Sequence, residues 1–208
     1  MEKNVIERYS HAERSNHWVV AICFVLLLIS GLAFFHPSLF WLSGFFGGGT
    51  NARAFHPFIG VVMAVAFAAL AGRLWSHNVL NAADRIWLRN ARKVLAGDES
   101  FSQDIGRYNG GQKRLFQLMV ACVALLFVSG VVIWQPYFAG LFPITLVRIA
   151  ALTHAVAAFA LIIGFIVHIY ATFWVKHTLR AMLRGTVTHA WAKKHHPGWY
   201  REMMGRVK

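Results

Sequence analysis

Acidic residues are scarce in this sequence, in which 8 Asp and Glu stand against 21 Lys and Arg and give a net charge of +13. Charged residues make up 14% of the chain, whereas soluble domains contain about a quarter. Four stretches contain no charged residue at all: 19–35, 54–72, 115–135 and 149–175. This segregation excludes an ordinary soluble globular domain and indicates a membrane protein.

Each uncharged stretch is close to the ~20 mainly apolar residues that a transmembrane helix needs. None alternates with the two-residue period of a strand, and helices satisfy the backbone in lipid. The sequence therefore predicts an all-α, integral membrane four-helix bundle that forms a single domain over 1–208. No signal-peptide cleavage site follows the first stretch, and no internal repeat is recognised. The spans are predicted at about 17–36, 54–75, 115–135 and 149–175, followed by a tail at 176–208.

Most basic residues lie in the two tails and in the segment 73–114, and the two exceptions are Arg53 and Arg148. Positively charged loops stay in the cytoplasm, so both termini are predicted to be cytoplasmic. Beside membrane spans, this charge indicates anionic lipid rather than nucleic acid as the partner. The tail also contains Trp191, Trp199 and Tyr200. We expect this tail to dock on anionic lipid or on a partner subunit.

Paired cysteines are absent as well. The two cysteines, Cys23 and Cys122, both lie inside predicted spans and form no CxxC motif. This excludes an iron–sulfur framework and a c-type haem attachment sequence. Both cysteines are interpreted as small apolar packing residues.

Five of the eleven histidines lie within or at the ends of the predicted spans, and apart from His36 they are His17, His56, His154 and His168. Polar groups inside a membrane are costly and by default mark function. His154 and His168 are separated by about 21 Å along one helix. Their side chains point within about 40° of each other. One helix face therefore offers imidazoles at two depths.

The predicted topology assigns partners to these two histidines. His56 lies at the outer level with His154, and His17 at the inner level with His168. Zinc and copper usually take three or four ligands, and the four spans contain no Asp or Glu. Two axial histidines suit a six-coordinate haem b, so the sequence predicts two haems b that carry electrons across the bilayer. Four span glycines either make room for the macrocycle or simply pack helices: Gly31, Gly60, Gly130 and Gly164.

Other polar residues keep open roles. His36 lies at the outer level and either tunes the outer haem or faces the headgroups. Arg73 and His77 lie at the inner level, where they either pair with a haem propionate or extend to the headgroups. His195 and His196, in the basic tail, are expected to be solvated or to face the headgroups.

Several motifs occur in a characteristic order: HW at 17–18, FHPFIG at 55–60, RYNGGQK at 107–113, QPYFA at 135–139, VHIY at 167–170 and AWAKKHHPGWYRE at 190–202. In this order the chain resembles the membrane cytochrome b (gamma) subunit of respiratory, membrane-bound formate dehydrogenase. The resemblance implies a bacterial inner membrane location. It also implies two haems b, with the iron ligands His17, His56, His154 and His168.

The resemblance further implies an electron path. An iron–sulfur (beta) subunit, fed by a molybdenum or tungsten formate-oxidising (alpha) subunit, reduces the outer haem, and a quinone is reduced near the cytoplasmic face. The implied assembly is a trimer of heterotrimers. Asn109, Gly111 and Gln112 are implied to bind the quinone, menaquinone or ubiquinone, beside His168. Their composition is equally typical of a turn that caps a helix.

Three alternatives remain open. The cytochrome b subunit of a nickel–iron hydrogenase shares the bis-histidine bundle. A histidine-based metal transporter and a purely structural anchor would contain no electron-transfer haem. No residue of this chain is assigned to formate oxidation, since the sequence contains no molybdopterin-binding or iron–sulfur-binding apparatus.

Overall fold

Four long helices dominate the computed structural model, which describes residues 4–96 and 104–206. Each is long and apolar enough to cross a membrane, as the sequence predicts. All four begin before the predicted spans, because helical backbone continues through the polar residues that precede each uncharged stretch. Lys3 and Lys208, counted among the basic residues of the tails, lie outside the described residues. The long helices are α1 (His11–Phe35), α2 (Gly49–Leu74), α5 (Gly110–Ile133) and α6 (Ile144–Trp174).

Short elements connect and follow these helices. The short α-helices are α3 (Ala82–Arg89), α4 (Ala91–Leu95), α7 (Thr178–Arg184), α8 (His189–His195) and α9 (Pro197–Arg206). Segments of 3-10 helix cover Pro37–Phe46, Trp75–Asn78 and Ala139–Leu141. Two strands, β1 (Val5–Glu7) and β2 (Thr186–Thr188), pair in antiparallel register with Ile6 opposite Val187. This ribbon is not predicted from sequence, because strands of three residues are too short to show a period.

The chain folds into two compact units, and each long helix contributes to both. The bundle unit contains Ser15–Gly72 and Met119–Phe165. The terminal unit contains Met1–Arg14, Arg73–Leu118 and Ile166–Lys208.

The bundle unit has a core to which all four long helices contribute: Phe24, Met63, Cys122, Val123 and Leu161. Cys23 packs against this core, as expected of an apolar packing residue. The outward faces are apolar as well, since each long helix exposes at least 60% of one aliphatic side chain: Ile22, Val65, Val128 and Val156. Apolar exposure around a whole bundle is typical of helices that face lipid.

The terminal unit has its own core, which joins β1 and β2 to α7, α8 and α9. Trp191 and Trp199 belong to this core and are only 8% and 5% exposed. These two rings therefore belong to the core of the unit itself, and docking of the tail on lipid or on a partner subunit stays a prediction. They are buried because the β1–β2 pairing folds the C-terminal tail over the N-terminal segment.

A buried arginine lies among these aromatic rings. Arg8 is 5% exposed, and its guanidinium carbon lies 5.1 Å from the ring centroid of Trp191 and 5.0 Å from that of Trp199. Its Nη2 donates to the carbonyl oxygen of Arg107 at 2.8 Å, and Nη2 of Arg107 donates to the carbonyl oxygen of Arg8 at 2.7 Å. Arg107 also pairs with Glu13 at 3.2 Å. These bonds tie the N-terminal segment to the segment that precedes α5.

His196 completes this network. The expectation that it is solvated is wrong, because it is 3% exposed. Its Nδ1 donates to the carbonyl oxygen of Gly106 at 2.9 Å, and its Nε2 lies 3.2 Å from Nη2 of Arg8. Burial, aided by the positive charge of Arg8, lowers the pKa of His196 to about 3. The ring is therefore neutral at physiological pH, and Nε2 accepts the hydrogen bond from Arg8.

Candidate functional site

Two of the four candidate histidines meet inside the bundle unit. His56 on α2 and His154 on α6 are both partly buried. Their ring centroids lie 6.3 Å apart, with the ring planes inclined at 60°. These are the two histidines that the sequence assigns to the outer level.

A serine from another helix contacts each ring. Ser30 Oγ on α1 lies 2.7 Å from Nδ1 of His56, and Ser129 Oγ on α5 lies 3.0 Å from Nδ1 of His154. Both serines are buried, at 0% and 5% exposure. Four helices therefore contribute one polar side chain each to an otherwise apolar core.

The serine hydroxyls decide which histidine nitrogen carries the proton. Ser30 donates to the carbonyl oxygen of Leu26 at 2.9 Å, and Ser129 donates to that of Leu125 at 2.6 Å. While its one hydrogen is directed at this carbonyl, each serine oxygen acts toward the imidazole as an acceptor. Nδ1 of each histidine must then carry the hydrogen, which leaves Nε2 as the nitrogen with a free lone pair. Histidines that bind metals use this arrangement, with the second nitrogen donating to a neighbouring group.

The separation of the rings fits a metal between them. A metal–imidazole bond of about 2 Å, extended by about 1.1 Å from nitrogen to ring centre on each side, gives a centroid separation of about 6.2 Å. The observed separation is 6.3 Å. No group of three or more His, Cys, Asp or Glu able to hold a metal ion occurs in 4–96 or 104–206. Two imidazoles without further ligands match a haem b, because the porphyrin supplies the other four.

Two of the four span glycines lie against these rings. A Cβ on Gly130 would lie 3.3 Å from Cε1 of His154, and a Cβ on Gly31 would lie 3.8 Å from Cε1 of His56. No atom would lie within 4 Å of a Cβ on Gly60. Gly164 is buried in α6. Gly130 therefore makes room for an imidazole, whereas Gly31 is in ordinary contact.

The other two candidate histidines belong to different units. His17, in the bundle unit, packs edge-on to Trp18 with ring centroids 5.7 Å apart. His168, in the terminal unit, accepts through its carbonyl oxygen the hydroxyl hydrogen of Thr172 at 2.8 Å. Both side chains are partly buried. Their pairing stays a prediction.

The candidate quinone residues lie at the first turn of α5 and cap it. The Asn109 side-chain oxygen accepts from the backbone nitrogen of Gln112 at 2.8 Å, and the Gln112 side-chain oxygen accepts from that of Asn109 at 3.0 Å. This reciprocal cap satisfies two of the amides that a helix start leaves without partners. Each side chain also carries an NH2 group that the cap does not use.

The glycines of the same loop are required by the close approach of α3. A Cβ on Gly110 would lie 2.7 Å from the carbonyl oxygen of Asp84, and a Cβ on Gly111 would lie 2.7 Å from the ring of Trp87. A buried ion pair fastens the two helices, since Lys113 Nζ lies 2.7 Å from Oδ2 of Asp84. Packing thus explains both glycines without a ligand, while the quinone role of Gly111 stays a prediction.

His36, Arg73 and His77 lie near helix ends. His36 is exposed, and its Nδ1 accepts from the backbone nitrogen of Ser38 at 3.2 Å, which caps the 3-10 helix Pro37–Phe46. Arg73 and His77 are exposed at and after the last turn of α2. These positions agree with headgroup-facing side chains.

Sequence reasoning missed Ser30 and Ser129, although a signal was available. The pattern LL-x2-SG-x5-P occurs twice, at 26–37 and at 125–136. The statement that the chain contains no internal repeat is therefore wrong. Each serine precedes its histidine by a similar interval, 26 residues in one hairpin and 25 in the other.

Comparison with known proteins identifies the family of this chain. The model of the family described as prokaryotic cytochrome b561 matches residues 8–185. The formate dehydrogenase cytochrome b556(fdo) subunit of Escherichia coli K12 is 49% identical over 97% of this chain and 94% of its own. The nitrate-inducible formate dehydrogenase cytochrome b556(Fdn) subunit of the same strain is 43% identical over 97% of this chain and 93% of its own. The formate dehydrogenase cytochrome b556 subunit of Haemophilus influenzae is 44% identical over 95% of this chain and 83% of its own. The chain therefore belongs to the prokaryotic cytochrome b561 family and, within it, to the membrane cytochrome b subunits of formate dehydrogenase.

Proposed function

We propose that this chain is the dihaem, quinone-reducing subunit of a formate dehydrogenase and carries electrons from the outer to the inner face of a bacterial inner membrane. The observation that supports it best is the pair His56 and His154. Two helices present imidazoles 6.3 Å apart, and two serines orient them so that Nε2 of each can bind iron. A second haem, held by His17 and His168, completes the path.

A haem with two histidine ligands supplies one-electron transfer, since its iron has no open position for other chemistry. The residues of this chain hold the group in place and keep water away. The apolar core residues Phe24, Met63 and Leu161 exclude solvent from the bundle interior, which lowers the local dielectric. The electrons come from the iron–sulfur subunit, which receives them from the molybdenum or tungsten subunit. The holoenzyme is a trimer of such heterotrimers.

The quinone site is proposed at the first turn of α5. The amide NH2 groups of Asn109 and Gln112 can donate to a quinone carbonyl. Gly111 and His168 complete the site. Reduction of one quinone consumes two electrons, which arrive one at a time, and two protons drawn from the cytoplasm. With both termini cytoplasmic, as the basic residues predict, each turnover charges the membrane.

A haem count tests the central proposal. We expect two b-type haems per chain in the dithionite-reduced complex purified with its molybdenum or tungsten subunit. His154→Ala should lose one haem and abolish formate-driven quinone reduction. His36→Ala is the control, because His36 is exposed and caps a 3-10 helix, and it should keep both haems. A wild-type complex without a b-type spectrum would refute the proposal.

The quinone site needs variants that separate binding from helix capping. Asn109→Asp and Gln112→Glu keep the oxygens that form the cap and remove the amide NH2 groups. We expect both to lower the rate of quinone reduction at least tenfold, with normal haem content and normal reduction of the haems by formate. Asn109→Ala should in addition destabilise the start of α5 by about 1 kcal/mol. Unchanged quinone reduction in Asn109→Asp and Gln112→Glu would assign these side chains to capping alone.

A further inference from the structure

The two helix hairpins of the bundle unit repeat one arrangement. In each, a serine on the first helix donates to the carbonyl four residues earlier and contacts Nδ1 of a histidine on the second helix. Ser30 and His56 form the pair in the α1–α2 hairpin, at 2.7 Å, and Ser129 and His154 form it in the α5–α6 hairpin, at 3.0 Å. The arrangement recurs with the repeated pattern LL-x2-SG-x5-P.

Helix packing alone does not require these contacts. A serine in a helix can satisfy its hydroxyl through the i−4 carbonyl without any further partner. Thr153 makes such a bond to Ile149 at 2.9 Å on an exposed part of α6. Ser30 and Ser129 are instead buried, and the oxygen of each also lies within 3.0 Å of Nδ1 of a histidine. The serines therefore act on the histidines rather than only on their own helices.

We propose that Ser30 and Ser129 are positioning residues of the outer haem site, each accepting the Nδ1–H of its histidine to direct Nε2 at the iron and to set the potential of that haem. The inference rests on the proposed function and adds two residues to it. Both act through a ligand rather than on the iron itself. The repeat makes the site nearly symmetric, because each ligand has the same kind of partner on the preceding helix.

The hydrogen bond from Nδ1–H to the serine oxygen determines the direction in which the haem potential shifts. An acceptor at Nδ1 makes the imidazole a more basic ligand, which stabilises the oxidised iron over the reduced iron. Replacing one serine by alanine removes the acceptor and should raise the potential. A hydrogen bond makes a modest net contribution, and only part of it differs between the oxidation states. We therefore expect about a threefold rise in the ratio of reduced to oxidised haem per serine, or about 28 mV for one electron.

The test is a redox titration of the purified complex, followed at the absorbance of the two haems. Ser30→Ala and Ser129→Ala should each raise the potential of the same haem. In the double variant, the potential of that haem should rise by about the sum of the two single shifts. The other haem should keep its potential. Thr153→Val is the matched control, since it removes a hydroxyl that bonds only the i−4 carbonyl, and it should shift neither potential. Ser129→Thr keeps the hydroxyl and should stay close to wild type.

A second measurement separates orientation from general structural damage. The low-spin electron paramagnetic resonance signal of the oxidised haem depends on the angle between the two imidazole planes, which is 60° here. Each alanine variant should change this signal for the outer haem while the haem count stays at two. Alanine variants with two haems and with unchanged potentials and signals would overturn the inference and leave the proposed function intact. A wild-type complex without haem would overturn both.

Discussion

The ion pair between Lys113 and Asp84 gives the sharpest prediction about stability. Both side chains are nearly buried, at 8% and 7% exposure, and Nζ lies 2.7 Å from Oδ2. Nζ also donates to the carbonyl oxygen of Val79 at 3.1 Å. The same Asp84 oxygen accepts from the backbone nitrogen of Asn81 at 2.8 Å, which caps α3. One carboxylate thus holds the start of α3 and the first turn of α5.

Replacing Lys113 and replacing Asp84 should lower the free energy of unfolding by different amounts. Lys113→Met leaves a buried carboxylate without its counter-charge, which costs about 3 to 5 kcal/mol. Asp84→Asn keeps an acceptor for Asn81 and leaves the lysine with the carbonyl oxygen of Val79, so we expect a smaller cost of about 1 to 3 kcal/mol. The double variant contains no buried charge at this place. It should be less destabilised than Lys113→Met alone.

The free energy of unfolding of the detergent-solubilised subunit checks this order. The matched control is the ion pair between Arg201 and Asp104, whose side chains are both 63% exposed. Because water screens that pair, Arg201→Met should cost at most about 1 kcal/mol. The reasoning would be refuted if Lys113→Met cost no more than Arg201→Met, or if the double variant showed the simple sum of the two single costs.

Three further predictions concern the terminal unit and the candidate haem site. Arg8→Ala removes a buried guanidinium from its hydrogen bonds and from four aromatic rings, and should lower the free energy of unfolding by about 3 kcal/mol or more, whereas Arg8→Lys should restore only part of it. The pKa of His196, lowered to about 3, means that between pH 6.5 and pH 3 the unfolded chain binds a proton that the folded chain does not. Stability should therefore fall on acidification below pH 6.5 by up to about 1.4 kcal/mol per pH unit, and urea titrations should show that His196→Gln removes this slope. Gly130→Ala should lower the haem content or shift the spectrum of one haem, because its Cβ would lie 3.3 Å from His154, whereas Gly31→Ala should leave both unchanged.

The parts of the fold that follow from local sequence were predictable. Long uncharged stretches predict the four long helices whatever their neighbours are, and the outer histidine pair follows once the topology is assigned. Helix limits were less accurate, because a charged residue does not end a helix. Equal depth in the membrane does not by itself establish that two rings face each other, so depth alone does not establish the pairing of His17 with His168.

Contacts between distant segments were not predictable in the same way. The two strands are three residues each, and their pairing joins the two ends of the chain. Trp191 and Trp199 lie in the basic C-terminal tail, and a single sequence does not show that this tail packs against the N-terminal segment. Composition therefore assigned these residues to the surface, whereas the fold buries them.

The repeat explains the pair His56 and His154 and not the proposed pair His17 and His168. In the first pair each hairpin contributes a serine on its first helix and a histidine on its second, so the two histidines have equivalent surroundings. For the proposed pair the equivalence fails. The position in α5 that corresponds to His17 is Phe116, and the position in α2 that corresponds to His168 is Leu70. A haem held by His17 and His168 would take its ligands from the first helix of one hairpin and the second helix of the other. Two haems of one chain would then sit in unlike protein surroundings, which is a physical basis for unequal potentials and for electron flow in one direction.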